Sequence, residues 1–366
     1  MQHKASVFAA LFVAGCAVGA PPGFSGGDHW TLPLVGPLED GVLVTVASVH
    51  GHGPYLFAID PDANVSAVDK QVVDEAGLRT AVGPRRIDET DTGQIRFYAE
   101  LLDFRIAGLT IDRRDAMVFP VGFYDTEGRH IRGILGRDVI ADSLVFGFDR
   151  DQGVATLSTV KAFRPPPDAT VVRYESVSSE SSAFVSSVER EQAAGQGAGQ
   201  TGIPGSDVNP APRRLARAQI GGGTFEMHLD LGAATSQLAE ARWGRAQLTP
   251  AEVKLHLVDE AATARDVTAA GIAPEVTVAG ARTFQVMFAP YVEKRFRDNV
   301  DGALGLDFFR PYAVYASWDS RTYFLRLRGD LAATTAARLG RWGAAVPACP
   351  HPGCITAEIT AGPGGA

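Results

Sequence analysis

The sequence predicts an all-β protein made of two homologous lobes, and three observations predict it. One strand-and-loop segment occurs twice. A second landmark follows each copy at nearly the same distance. The stretch between the two halves has the composition of a linker.

The first copy of the segment runs from Tyr55 to Val68 and the second from Phe225 to Leu238. When Asp60 and Asp230 are aligned, large apolar residues fall at Tyr55, Phe57 and Ile59, and at Phe225, Met227 and Leu229. This alternation describes a strand with one buried face that delivers a carboxylate to its end. Ala63 and Ala233 follow, then Ser66 and Ser236, then Val68 and Leu238. A glycine-rich turn precedes each strand, at Gly51–Pro54 and Gly221–Gly223, so each copy reads as a hairpin whose second strand ends in Asp. Downstream come Gly133-Ile134-Leu135-Gly136 and Gly302-Ala303-Leu304-Gly305. The interval from Asp to the first glycine is about 73 residues in one half and about 72 in the other. Each half then closes on a strand ending in an aromatic-Asp pair, Phe148-Asp149 and Trp318-Asp319.

These motifs resemble the lobes of a retropepsin-like or pepsin-like aspartic peptidase, over about residues 40–160 and 213–328. In that family each lobe carries hydrophobic-Asp-Thr/Ser-Gly-Ala/Ser and, later, two hydrophobic residues and Gly. Asp230-Leu231-Gly232-Ala233 keeps the Asp, Gly and Ala, whereas Asp60-Pro61-Asp62-Ala63 keeps only the Asp and Ala. Ile134-Leu135-Gly136 and Ala303-Leu304-Gly305 match the later motif. The resemblance implies two β-barrel lobes with a cleft between them and a catalytic dyad of Asp60 and Asp230. It implies no metal and no cofactor, a peptide or protein segment in the cleft, and a monomer, since one chain carries both lobes. Ser66, Ser236, Gly136 and Gly305 are the supporting positions. Two carboxylates that share a site do not both ionise readily, so one keeps its proton while the other activates water.

The loop residues depart from the family pattern. Pro61 and Leu231 stand where a hydroxyl normally ties the two loops together, and neither can supply one. Asp62 replaces a glycine and adds a third negative charge beside the dyad. The same fold can therefore be a working endopeptidase or a pseudo-peptidase that binds a peptide in its cleft.

The remaining segments read as follows. Met1–Lys4 is positive and Ala5–Gly15 apolar, which predicts a signal peptide over residues 1–15. Val13-Ala14-Gly15-Cys16 resembles a bacterial lipobox, which makes Cys16 a lipidation site, an anchor to the outer face of a membrane, and 16–28 a tether. The other reading is an ordinary signal peptide with an incidental Cys and a secreted product. The first lobe is expected over 29–163. Val68–Ala76 reads as a short helix stopped by Gly77. His50 and His52 fall in a turn, as solvated residues rather than metal ligands. Residues 88–98 read as a polar hairpin, either a flap that brings Tyr98 to the cleft or a plain strand end. Residues 164–212 are rich in Pro, Ser, Gly and Gln and are expected to be an interlobe linker, with a short strand around Val171–Tyr174. The second lobe spans 213–330. In the tail, 331–366, Cys349 and Cys354 are five apart and predict a local disulfide in an oxidising compartment. The net charge of −8 gives no basic footprint for nucleic acid.

Overall fold

The computed structural model describes residues 24–25, 27–35, 41–63, 65–82, 97–121, 129–140, 144–177, 213–258, 264–290 and 300–329. Cys16, Cys349, Cys354, the signal segment, the tip of the 88–98 hairpin and the tail beyond 330 lie outside the described residues.

The first lobe contains β1 (Phe24–Ser25), β2 (His29–Pro33), β3 (Leu43–Val49), β4 (His52–Ile59), β5 (Ala67–Val68), α1 (Lys70–Glu75), β6 (Thr80–Val82), β7 (Phe97–Ile106), β8 (Leu109–Val118), β9 (Gly133–Leu135), α2 (Arg137–Ile140), β10 (Leu144–Asp149) and β11 (Val154–Thr159). Two connecting strands follow, β12 (Thr170–Arg173) and β13 (Glu175–Val177). The second lobe contains β14 (Arg213–Ile220), β15 (Gly223–Leu229), β16 (Ser236–Leu238), β17 (Thr249–Val258), β18 (Ala264–Val278), β19 (Ala281–Pro290), β20 (Gly302–Leu304), α3 (Leu306–Phe309), β21 (Tyr312–Ser317) and β22 (Thr322–Leu327).

Each lobe is a closed barrel of six strands. In the first, the order β8-β5-β9-β4-β3-β7 closes through pairing of β7 with β8. In the second, β14-β15-β20-β16-β19-β18 closes through pairing of β14 with β18. Closure pairs backbone groups that an open edge would leave exposed. Phe57 packs on Phe104 inside the first barrel, with ring centroids 5.4 Å apart, while Phe225 and Phe288 fill the second. The β3–β4 turn has His50 and Gly51 both at positive φ, which matches the strand twist of a tight hairpin. Asp69 caps α1 by accepting the Gln71 amide at 2.8 Å, and Gly77, at φ +61, follows the helix end.

A third sheet joins the lobes, in the order β12-β22-β21-β10-β11-β2. Val145 to Phe148 pair with Ser317 to Val314 across the lobe boundary. Phe309 stacks on Tyr323 at 5.8 Å, and Phe146 packs on both Phe148 and Trp318, so one apolar core runs through both lobes.

Two expected boundaries need correction. The tether expected over 16–28 enters the fold at Phe24, because β1 pairs with Thr110 and Ile111 and the Trp30 indole N–H donates to the Ser25 carbonyl at 2.9 Å. The short strand expected around Val171–Tyr174 is β12, and the linker expected over 164–212 is structured further, through Val177. Backbone pairing with Thr322–Leu325 orders β12, and pairing with Arg213–Leu215 orders β13, so sheet hydrogen bonds outweigh a polar local composition.

Candidate active site

The barrels present the two aspartates in the same way. In each lobe the Asp-bearing strand pairs in parallel with the strand of the later glycine motif, β4 with β9 and β15 with β20. The Asp60 amide donates to the Leu135 carbonyl at 3.0 Å, and the Asp230 amide to the Leu304 carbonyl at 2.9 Å. Each loop then folds back on its own carboxylate. Asp60 Oδ1 accepts the amides of Asp62 and Ala63, at 2.9 and 3.1 Å. Asp230 Oδ1 accepts those of Gly232 and Ala233, both at 2.9 Å. Pointed amides of this kind fix a carboxylate and favour its charged form.

A buried serine–aspartate pair locks each loop from behind. Ser66 Oγ donates to Asp138 Oδ1 at 2.8 Å and accepts the Gly136 amide at 2.9 Å. Ser236 Oγ donates to Asp307 Oδ1 at 2.6 Å and accepts the Gly305 amide at 3.0 Å. Gly136 and Gly305 lie so close to the opposing backbone that a Cβ would come within 2.5 Å of Val65 and 2.8 Å of Ala233 and Thr235. Asp138 and Asp307 carry the partner role and were not singled out in the sequence, although each stands two residues after the later glycine motif.

Asp60, Asp62 and Asp230 bring one carboxylate oxygen each within 4.8 Å of one another. One water hydrogen-bonded to two carboxylates spans up to roughly 5.5 Å, so the separation suits a shared water. Gly232 stands directly against the first carboxylate: a Cβ there would overlap Asp60 Oδ1. Position 62 occupies the equivalent place in the other loop, and its side chain reaches into the second lobe. Asp62 Oδ2 accepts the Leu231 amide at 3.1 Å, and Oδ1 accepts Nη1 of Arg214 at 2.5 Å. Arg214 Nη2 donates to the Pro61 carbonyl at 2.9 Å. Its guanidinium lies over the Trp318 ring at 4.8 Å and is 1% exposed. His228 Nε2 stands 3.3 Å from Asp62 Oδ1, and neither ring nitrogen has a hydrogen-bond partner among the described residues.

Pro61 and Leu231 lack a side-chain tie, yet the loops are tied. The tie runs through the Pro61 carbonyl and the Leu231 amide, with Asp62 and Arg214 between them.

The electrostatics separate the carboxylates. Burial alone would raise the pKa of Asp62, but the Arg214 charge, His228 and the Leu231 amide outweigh it and hold the group at about 2. Asp230 shifts upward, first because it is buried and next because Asp62 is beside it; His228 and the two loop amides oppose the shift. A divalent cation fits this acidic cluster poorly, since both oxygens of Asp62 are already engaged by Arg214 and Leu231.

Of the other sequence candidates, Tyr98 is a buried β7 residue opposite Ala81 and Met117, and the hairpin that precedes it lies outside the described residues. Arg214 and His228 were missed. A signal existed, because both break an apolar pattern that the first copy keeps. His228 corresponds to Ala58, two residues before the Asp, and Arg214 directly precedes Leu215, the residue paired with His228, as Leu43 directly precedes Val44, the residue paired with Ala58.

No family model and no curated protein matches the chain. Among solved structures, the crystal structure of the aspartic proteinase from Irpex lacteus is similar, with a TM-score of 0.47 and 11% identity. The match covers 84% of this chain and 99% of that one. The chain itself is mostly β and holds two closed six-stranded barrels.

Proposed function

We propose that this chain is an aspartic-type endopeptidase that hydrolyses a peptide bond with water held between Asp60 and Asp230. One observation carries the reading: equivalent loops of two lobes bring these carboxylates within 4.8 Å, each braced by two backbone amides. Ionised Asp60 takes a proton from the water as its oxygen bonds to the carbonyl carbon. Protonated Asp230 hydrogen-bonds the carbonyl oxygen and stabilises the charge that develops there. When the tetrahedral species collapses, the C–N bond breaks, the leaving nitrogen takes the proton from Asp60, and Asp230 keeps its own. The proposal includes an exported monomer anchored through lipid on Cys16, with a peptide or protein segment as substrate.

A second reading is a catalytically impaired lobe pair that binds a peptide without cutting it. Asp62 favours it, because a side chain stands where the other loop has Gly232 and adds a carboxylate to the dyad.

Incubating the folded protein with a mixed peptide library and a transition-state-mimicking aspartic peptidase inhibitor separates the two. Inhibitor-sensitive cleavage supports the enzyme. Saturable binding of peptides that emerge intact supports the binding reading.

A further inference from the structure

We propose that the β10–β11 turn and the end of β22 form a latch at the seam of the interlobe sheet, in which Asp151 and Arg328 position the second-lobe aspartate loop through α3. Both are positioning residues. Their consequence for catalysis rests on the dyad proposed above; the mechanical link does not.

The latch consists of two Asp–Arg ion pairs that cross the lobe boundary. Asp149 stands at the last rung of the β10–β11 hairpin. Its Oδ1 accepts the Asp151 amide at 3.0 Å, which shapes the turn, and its Oδ2 accepts Nη2 of Arg326 at 3.0 Å. Asp151 Oδ1 accepts both Nε and Nη2 of Arg328, the first at 2.8 Å. The Arg328 side chain is 3% exposed, so its charge is compensated by protein groups rather than by water. Arg150 ties the turn to its own lobe, with Nη2 donating to the Gly41 carbonyl at 3.3 Å.

Arg328 passes the hold on to α3. Its remaining side-chain nitrogen, Nη1, donates to the Arg310 carbonyl at 2.9 Å, and its amide donates to the Pro311 carbonyl at 2.9 Å. Arg310 directly follows α3, a helix of a single turn. At the other end of that turn the Leu306 amide donates to the Ala233 carbonyl at 2.8 Å, and Asp307 holds Ser236. The Ala233 amide in turn donates to Asp230 Oδ1. A planar guanidinium with all three nitrogens engaged is a rigid bracket. Phe308 and Phe309 are buried, which leaves α3 no room to give. A shift of the first-lobe turn is therefore carried to the loop that holds Asp230.

The latch is one-sided. The last rungs of the two hairpins are Asp149 with Val154 and Ser317 with Thr322. Arg326 and Arg328 stand four and six residues after Thr322, and the same steps after Val154 reach Ser158 and Val160. Neither of those can form an ion pair, so the repeat offers no reciprocal hold on the Asp60 loop. The first-lobe loop thus serves as an internal control.

The test is hydrogen–deuterium exchange of the full chain, read by mass spectrometry in the native protein, Asp151→Asn and Arg328→Met. It needs no catalytic activity. Asp151 is half-exposed, so Asp151→Asn is expected to fold, and it decides alone if Arg328→Met does not. Exchange over 230–240 and 302–310 is expected to rise by about tenfold or more, while exchange over 58–68 stays at the native rate. Faster exchange confined to 149–153 and 326–329 marks local packing only and overturns the proposal. Faster exchange spread equally over both aspartate loops marks general loosening and also overturns it. Arg328→Lys keeps the charge but lacks the fork that spans Asp151 and the Arg310 carbonyl, so it is expected to exchange like Arg328→Met over 230–240. Native exchange there overturns the bracket. Where the native chain cleaves peptides, Asp151→Asn is expected to lower kcat by about tenfold with KM held, since it touches no substrate. A native chain that cleaves nothing counts against the peptidase reading and leaves the exchange test standing.

Discussion

At the scale of single residues, Gly232 and Asp62 define the site. Gly232 has no room for a side chain, since a Cβ would overlap Asp60 Oδ1. Gly232→Ala is expected to displace that carboxylate and reduce peptide cleavage by about 100-fold with the fold retained, as read by cleavage rate beside a circular-dichroism melt. Asp62 makes an acid-stability prediction. Its folded pKa, about 2, lies below the usual 3.8, so folding favours its ionised form. The stabilisation is full above about pH 4 and is lost as pH falls toward about 2; it amounts to on the order of 2 kcal/mol. Asp230 acts with the opposite sign: its raised pKa gives a contribution that is full below the unfolded value and lost as pH rises through the folded one. Urea titrations at about pH 2 and about pH 5 should show the acid loss in the native chain and a smaller loss in Asp62→Asn. The aspartates were legible in the sequence because each ends an alternating strand. Arg214 was not, because its meaning depends on a partner 152 positions away in another lobe.

At the scale of elements, the fold repeats one device: a parallel strand pair delivers the aspartate, and a buried serine–aspartate pair pins the loop from behind. Ser66→Ala and Ser236→Ala each remove a hydroxyl that donates to a buried aspartate and accepts a glycine amide. Each should destabilise the protein by about 1–3 kcal/mol, and the two effects should add because the sites lie in separate barrels. Chemical denaturation of the single and double variants checks both statements. The duplication, the hairpins and α1 were readable from apolar period and turn chemistry. β13 was harder to read, because its order comes from a strand more than 30 residues further along the chain rather than from its own composition.

At the scale of the whole molecule, the lobes are joined by sheet as well as by chain. β12 and β13 come before residue 178 yet pair with strands of the second lobe, and β10 pairs with β21. Cutting the chain at a protease site engineered between 178 and 212 should therefore leave the two pieces together on size-exclusion chromatography under native conditions. The two-lobed architecture was legible because a repeat constrains topology more strongly than any single element does. The chemistry was less so, since the loop that departs most from the repeat is repaired by contacts across the lobes. The central claim is that Asp60 and Asp230 act as one catalytic unit. The most direct test compares cleavage of a mixed peptide library by the native chain, Asp60→Asn and Asp230→Asn, from about pH 3 to about pH 7. The account predicts cleavage by the native chain and its loss in both variants, each still folded. Cleavage that survives either substitution, or a folded native chain that cuts nothing across the range, would contradict it.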